Sequence, residues 1–245
     1  MIRRAVSVSV TVAFVSAALA AATLAGSAAA QTQAGTARAA GGKTPRAAAA
    51  ASAPGKAAAA APAVDAYARR FAGLCAACHG ANGRSDLPGT PVLAGQPAFY
   101  SITQLFLFRE GRRGNEAMTA VARTMTDDDL RGFSDFIGTL PPVPAPAPAN
   151  PPDAARMASG LELARQHKCL FCHGTDLAGG AQVPRIAGQR EDYLLASLQG
   201  FKSGTRPGYT QAMTGALSQV PSEDLDTLAY FAAHFSAAAQ SAPGR

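Results

Sequence analysis

Apolar side chains in the last three quarters of the chain recur at three- and four-residue intervals, the spacing of one face of an α-helix. Leu130, Phe133 and Ile137 follow a Thr-Asp-Asp-Asp segment at 126–129 that resembles a helix-start capping arrangement. The same arrangement is predicted in the second half, with Ser222 at the helix start, followed by Leu225, Leu228, Ala229 and Ala232. Four further helices are predicted at 67–74, 100–109, 155–166 and 193–202. Because no segment alternates convincingly like a strand, the predicted fold class is all-α.

The first 30 residues have the pattern of an export signal. Arg3 and Arg4 precede an apolar stretch over residues 6–25, and three alanines at 28–30 offer a small-residue cleavage site. We therefore predict a signal peptide over 1–30 and a periplasmic protein. The apolar stretch is close to the ~20 residues that span a bilayer, so an uncleaved membrane tether is the alternative.

Residues 31–63 are dominated by Ala, Pro, Gly, Thr and Ser and predict a disordered linker, since they cannot bury enough apolar surface to order themselves. The net charge of +6 comes from residues 1–63 as a whole. Six of the 22 basic residues and none of the 16 acidic ones precede Asp65, which leaves 16 of each sign in the remainder. The folded part therefore lacks the basic excess that nucleic-acid binding would favour.

An internal repeat organises the remainder of the chain. Cys-Ala-Ala-Cys-His-Gly at 75–80 returns as Cys-Leu-Phe-Cys-His-Gly at 169–174. Pro-Val-Leu-Ala-Gly-Gln at 91–96 returns as Pro-Arg-Ile-Ala-Gly-Gln at 184–189, and Ala-Met-Thr at 117–119 returns at 212–214. The nearly constant offset predicts two copies of one domain.

A proline-rich segment over 141–152 separates the copies and predicts an extended spacer, because proline cannot continue a helix. The predicted domains are therefore 64–140 and 153–238. Domains of this size are small for an ordinary apolar core. A bound apolar group would supply the missing volume.

Each copy carries a Cys-x-x-Cys-His motif, which in an exported protein indicates covalent attachment of a c-type haem. Cysteines three apart on a helical turn lie on one face, so both thiols can reach the vinyl groups of one porphyrin. We expect Cys75 and Cys78 to hold one haem and Cys169 and Cys172 to hold a second. His79 and His173, directly after these pairs, would supply an axial nitrogen to each iron.

Other uses of four cysteines are a structural zinc site, disulfides and a thioredoxin-like redox pair. None of them explains a histidine directly after both pairs, or a methionine at matching positions in both copies. The thioredoxin interpretation also requires a βαβ pattern, which is absent from the sequence.

The sixth iron ligand is predicted by elimination. The only other histidines, His167 and His234, both lie in the second copy. Met118 and Met213 occupy matched positions 39 and 40 residues after the two motif histidines and are the predicted axial thioethers. Met125 aligns with Val220 and is predicted to fill the core, and His234 is the runner-up ligand for the second haem.

The motifs together resemble the dihaem class I cytochromes c of the cytochrome c4 group, from about Tyr67 to Phe235. The resemblance implies two tandem all-α domains, each wrapped around one of two covalently attached haem c groups. It also implies that the carbonyl groups of Pro91 and Pro184 accept hydrogen bonds from the axial histidines. Tyr100, Tyr193, Arg109 and Lys202 are candidates to approach the haem propionates, although a solvated helix face explains them almost as well.

A histidine and a methionine on one iron leave no open coordination site, which suits one-electron transfer better than peroxide or oxygen chemistry. The resemblance implies a periplasmic electron carrier, not an enzyme, between a quinol-oxidising complex and a terminal oxidase. The expected partners are redox proteins (quinol-cytochrome c reductase, a terminal oxidase or a dehydrogenase), with no nucleic acid and no small-molecule substrate. The alternatives are a dihaem cytochrome c peroxidase and an electron-relay subunit of a membrane-bound dehydrogenase or oxidase.

Overall fold

A computed structural model of the chain describes residues 57–148, 150–208 and 210–236. Ten helices lie in these ranges: α1 (Ala57–Leu74), α2 (Ala76–His79), α3 (Ala98–Arg109), α4 (Glu116–Ala122), α5 (Asp127–Thr139), α6 (Ala154–Gln166), α7 (Cys169–His173), α8 (Glu191–Ser203), α9 (Ala212–Ser218) and α10 (Asp224–His234). The extended pairing found within the same ranges is one isolated bridge between Gly180 and Val183. The predicted all-α fold class is confirmed. The predicted signal peptide, 1–30, lies outside the described residues.

Helix α1 begins earlier than predicted, at Ala57, so residues 57–63 of the predicted disordered linker are helical. Alanine has the highest intrinsic helix propensity of all residues. Residues 57–61 are all alanine. This run extends, toward the N-terminus, the first helix of the domain predicted at 64–140, which is called the first lobe below. The domain predicted at 153–238 is the second lobe. The rest of the predicted linker lies outside the described residues.

The first lobe is built on the packing of α5 against α1 and α3. Phe71 of α1 and Phe133 of α5 are both almost completely buried in its apolar core. Tyr67 meets Phe133 edge to face, with the ring centroids 5.1 Å apart. Gly132 permits this approach, because a Cβ atom there would overlap the Tyr67 ring.

The second lobe repeats the arrangement with α6, α8 and α10. Gly160 of α6 allows α10 to approach closely, since a Cβ atom at this position would overlap Phe231. Leu228, Ala229 and Ala232 of α10 are buried in the second core, as the apolar spacing predicted. Ser222 does not cap this helix, which begins at Asp224 without a side-chain cap.

The segment after the proline at 141 contacts both lobes in turn. Pro142 lies directly beside Gly95 of the first lobe, where an added Cβ atom would be 2.8 Å from the Pro142 ring, and Ala145 N–H donates to the Gly188 carbonyl of the second lobe at 2.7 Å. Gly95 and Gly188 occupy the same position of the repeated Ala-Gly-Gln motif. The spacer is therefore docked onto equivalent points of the two lobes.

Candidate haem sites

The two cysteine motifs occupy short helices at equivalent places in the lobes. Cys75 immediately precedes α2, and Cys169 begins α7. In each motif the first cysteine is half-buried and the second, Cys78 or Cys172, is exposed. The first cysteine of each pair packs against the apolar core of its lobe, and none of the four cysteines forms a disulfide within the described residues.

A glycine ends each of these helices. Gly80 has a φ of +75° and Gly174 a φ of +83°, a conformation that residues with a Cβ atom rarely adopt. A Cβ atom on Gly80 would also collide with the Arg84 carbonyl oxygen. Glycine after the motif therefore lets the chain turn sharply away from the histidine.

The motif histidines are buried, each with 6% of its surface exposed. The Nδ1 atom of His79 lies 3.0 Å from the Pro91 carbonyl oxygen, and that of His173 lies 3.0 Å from the Pro184 carbonyl oxygen. A carbonyl oxygen can only accept, so Nδ1 carries the proton in both rings. The hydrogen bonds implied by the family resemblance are therefore confirmed.

Burial lowers the pKa of both histidines, and the proline carbonyls offset only part of this effect. Both rings are accordingly neutral near pH 7, with an unprotonated Nε2. A neutral imidazole with Nδ1–H held by a backbone acceptor is the usual form of a metal-binding histidine. The residues therefore fit a haem iron at each motif.

The matched methionines border the two apolar cores. Met118 lies in α4, Met213 lies in α9, and both are half-buried against the core of their own lobe. The side chain of Asn115 accepts a hydrogen bond of 2.9 Å from Met118 N–H and so caps α4 at this residue. Helices α4 and α9 were not predicted, because seven residues are too few for a clear apolar period.

Met125 and Val220, which align in the repeat, are both buried, with 6% and 2% of their surfaces exposed. Their burial agrees with the prediction that Met125 fills the core. His234 lies at the end of α10, where its Nδ1 is 2.9 Å from the Tyr230 carbonyl oxygen and its ring is 4.1 Å from that of Tyr230. The alternative role of His234 as a ligand stays a prediction.

Two of the candidate propionate contacts have other partners. Arg109 forms ion pairs with Asp127 at 2.7 Å and Glu110 at 2.9 Å. Lys202 donates to the carbonyl groups of Leu217 and Val220. Arg109 thus links α3 to the start of α5, and Lys202 links α8 to α9 and the residues directly after it.

Sequence reasoning missed a cluster of arginines around Tyr193. The buried Arg113 donates to the Tyr193 hydroxyl at 2.8 Å, and Arg206 donates to it at 3.1 Å. Burial raises the pKa of Tyr193, but the two guanidinium charges outweigh that effect and lower it to about 7. No carboxylate in the described ranges pairs with either arginine. The two arginines lie in different lobes, so only the packed structure brings them together.

Across the described ranges, no group of three or more His, Cys, Asp or Glu side chains is placed to hold a metal ion. The two cysteine pairs also lie in different lobes. The structure therefore gives no support to a zinc site built from all four cysteines.

The model of the cytochrome c family matches residues 64–141. A thiosulfate dehydrogenase electron acceptor from Thiomonas intermedia (strain K12) is 34% identical over 157 residues, which are 60% of this chain and 71% of the relative. Cytochrome c4 from Thiocapsa roseopersicina is 32% identical over 172 residues, 65% of this chain and 85% of the relative. The chain belongs to the dihaem cytochrome c4 family.

A solved cytochrome c4 agrees with this assignment. The reduced recombinant cytochrome c4 from Pseudomonas stutzeri aligns with a TM-score of 0.61 and 25% identity, over 71% of this chain and 98% of the other. The fold is accordingly a tandem class I cytochrome c fold. Because such domains bind haem c covalently, the cofactors are two haem c groups, which the two cysteine pairs fit. This member of the cytochrome c4 family is therefore a dihaem electron-transfer cytochrome.

Among the helices in the described part of the chain, none is long and apolar enough to span a membrane.

Proposed function

We propose that the protein carries electrons one at a time in the periplasm, from a quinol-oxidising complex to a terminal oxidase, without substrate chemistry of its own. The observation that carries the proposal is the matched pair of buried histidines, each bonded through Nδ1 to a proline carbonyl at 3.0 Å. Two such centres in one chain would make a carrier with two six-coordinate irons, neither of which has an open coordination site.

In the first lobe, Cys75 and Cys78 attach one haem through thioether bonds. His79 Nε2 and Met118 Sδ would supply the protein ligands of its iron. Cys169, Cys172, His173 and Met213 take the same roles in the second lobe. The half-buried position of both methionines beside the apolar cores is compatible with a thioether directed at the haem.

A bound haem supplies an iron that alternates between the ferric and ferrous states. The residues around it determine what that iron can do. A neutral histidine and a thioether would leave the iron no open coordination position and would stabilise ferrous iron, which raises the reduction potential. With both positions filled, peroxide has no site on the iron, and electron transfer is the favoured activity.

Arg113 and Arg206 extend the proposal to the haem periphery. Two guanidinium groups converge on one hydroxyl without a carboxylate partner among the described residues. Partly buried positive charges are favourable only with a compensating negative charge nearby. We assign that charge to haem propionates at this junction of the two lobes.

A second candidate donor is a dehydrogenase. It is favoured by the relative from Thiomonas intermedia, which is named as the electron acceptor of thiosulfate dehydrogenase. In that case the chain would take electrons from a periplasmic thiosulfate-oxidising enzyme instead of a quinol-oxidising complex.

Stopped-flow reduction of the purified ferric protein distinguishes the donors. Reduction by quinol and a purified quinol-cytochrome c reductase, with no response to thiosulfate and thiosulfate dehydrogenase, supports the first assignment. The reverse result supports the second. Absence of reduction by either system would contradict both donor assignments.

The peroxidase alternative predicts that the half-reduced protein turns over hydrogen peroxide with a change in its haem spectrum. We expect no turnover and an unchanged spectrum. The relay-subunit alternative predicts that the protein stays with membranes after a high-salt wash, whereas a cleaved export signal predicts release into the periplasmic fraction.

A further inference from the structure

The two lobes contact each other through the glutamines that end the repeated Ala-Gly-Gln motif. Gln189 of the second lobe lies against Val92 of the first, and Gln96 of the first lobe lies against Arg185 of the second. Val92 and Arg185 directly follow Pro91 and Pro184. Each glutamine therefore reaches the segment that holds the axial histidine of the other lobe.

The two contacts differ in the peptide group that they use. Gln189 Oε1 accepts a hydrogen bond of 2.7 Å from Val92 N–H, and Gln189 Nε2 donates to the Val92 carbonyl at 2.9 Å. Gln96 Nε2 donates to the Arg185 carbonyl at 2.8 Å, while Gln96 Oε1 has no hydrogen-bond partner among the described residues. Only Gln189 therefore contacts a backbone N–H directly after a motif proline.

That N–H belongs to the same peptide group as the Pro91 carbonyl, which accepts the Nδ1 proton of His79 at 3.0 Å. A continuous path of hydrogen bonds thus runs from His79 through the Pro91–Val92 peptide to Gln189. In the second lobe, Gln96 bonds the carbonyl of the next peptide, and the equivalent path stops at His173 and Pro184.

The orientation of the Gln189 amide is fixed by its neighbours. Arg190 N–H also donates to Oε1, at 2.9 Å, so two backbone donors converge on the atom assigned as oxygen. An amide nitrogen could not accept either bond. The side chain is 2% exposed and Val92 is 1% exposed, so water does not compete for these bonds.

Hydrogen bonds in a chain polarise one another. When Gln189 accepts from the Val92 N–H, the Pro91 carbonyl oxygen becomes more negative and binds the Nδ1 proton of His79 more strongly. A stronger hydrogen bond from Nδ1–H to the Pro91 carbonyl makes the imidazole a more basic ligand of the iron. A more basic ligand favours ferric iron and so lowers the reduction potential.

We propose that Gln189 is a positioning residue through which the second lobe lowers the reduction potential of the haem in the first lobe. The proposal rests on the assignment of His79 as an axial ligand. It makes the two repeats electronically unequal although their ligands are the same.

The test compares Gln189→Leu with the matched variant Gln96→Leu in the full haem-loaded protein. Gln189→Leu should raise one of the two midpoint potentials and shift the His79 Nδ1–H proton resonance of the reduced protein upfield, as expected for a weaker hydrogen bond. The His173 resonance should stay in place. Gln96→Leu should leave both histidine resonances and both potentials unchanged.

A third variant separates polarisation from packing. Gln189→Glu retains an oxygen for the Val92 and Arg190 N–H groups but removes the donor to the Val92 carbonyl. Polarisation predicts no rise in potential for this variant. If Glu and Leu raise the potential equally, or if Gln189→Leu changes neither potential and neither resonance, the proposal is overturned.

The ligand assignment is checked separately in the unaltered reduced protein. The ring protons of an axial histidine lie over the porphyrin and shift strongly upfield. If the ring protons of His79 are shifted upfield, the proposed function stands, whatever the glutamine variants do. Their absence would reject His79 as a ligand, independently of Gln189.

Discussion

The chemistry of each candidate haem site depends on one ring nitrogen. His79 and His173 each commit Nδ1 to a proline carbonyl, and their burial keeps the ring neutral. These two effects leave Nε2 as a metal-binding atom. The histidines and cysteines were predictable from a five-residue motif, since covalent attachment requires that local spacing.

Replacing each predicted thioether ligand tests the sixth coordination position. Met118→Ala and Met213→Ala should each abolish the spectrum of one methionine-ligated haem and lower one midpoint potential, because a thioether stabilises ferrous iron. The measurements are the ferric absorption spectrum and a redox titration.

Met125→Leu is the matched control, because Met125 is buried in the core of the first lobe. It should retain both ligated haems and cost less than ~1.5 kcal/mol of stability. If Met213→Ala leaves the spectrum and both potentials intact, the assignment is wrong and His234 becomes the candidate ligand.

At the scale of helices, the sequence predicted the long amphipathic elements well and the short ones poorly. Helices α5 and α10 carry apolar residues at repeated helical spacing, a pattern that fits few other kinds of secondary structure. The methionine helices α4 and α9 were missed, since their seven residues show no clear period and depend on packing. The prediction for Ser222 failed because that residue precedes α10 by two positions instead of one.

The capping difference between the lobes gives a stability prediction. Thr126 caps α5 by accepting a hydrogen bond from Asp129 N–H, whereas Ser222 caps no helix. Thr126→Ala should therefore lower the free energy of unfolding by ~1 kcal/mol. Ser222→Ala, the matched control, should change it by less than ~0.5 kcal/mol. Equal losses in chemical denaturation would contradict the assigned caps.

Asp129 adds a pH dependence to the same helix. The hydrogen bond from Arg70 lowers the pKa of Asp129 below its usual value, and bonds from Thr126 and Tyr67 lower it further. A lowered folded-state pKa means that its stabilisation is complete above the unfolded-state pKa of about 4. This stabilisation is lost as the pH falls below that value.

Asp129→Asn should consequently reduce the acid-induced loss of stability between about pH 4 and pH 2, relative to the unaltered protein. The measurement is the free energy of unfolding at a series of pH values. Asp128→Asn is the control, because Asp128 is exposed and its one ion pair within the described ranges is with Arg131 at 3.6 Å. Parallel pH curves for Asp129→Asn and the unaltered protein would contradict the prediction.

At the scale of the whole molecule, the repeat predicted two equivalent lobes but not their contact. The bonds between Gln189 and Val92 join residues 97 positions apart, and no local sequence pattern predicts such a pairing. The same holds for Arg113, whose role depends on Tyr193 of the other lobe. Spacing along the chain therefore located the cofactors, and packing determined how the lobes influence each other.

Docking of the spacer can be tested at the two motif glycines. A Cβ atom on Gly95 would lie 2.8 Å from Pro142, and one on Gly188 would lie 3.0 Å from Pro144. Gly95→Ala and Gly188→Ala should therefore displace the spacer and increase its cleavage in limited proteolysis.

Gly111→Ala controls for backbone strain, since Gly111 has a φ of +63° but open space around its Cβ position. Gly111→Ala should lower the free energy of unfolding by ~1–2 kcal/mol because of backbone conformation alone. The spacer should stay protected from proteolysis. Equal proteolysis of the Gly95, Gly188 and Gly111 variants would show that the glycines do not hold the spacer.

The covalent haem content of the purified full-length gene product tests the central claim most directly. A pyridine haemochrome assay, referred to protein concentration, should give two haem c groups per chain. Replacing Cys75 and Cys78 by serine, or Cys169 and Cys172 by serine, should leave one. Fewer than two covalent haems in the unaltered protein would contradict the assignment of one haem to each lobe.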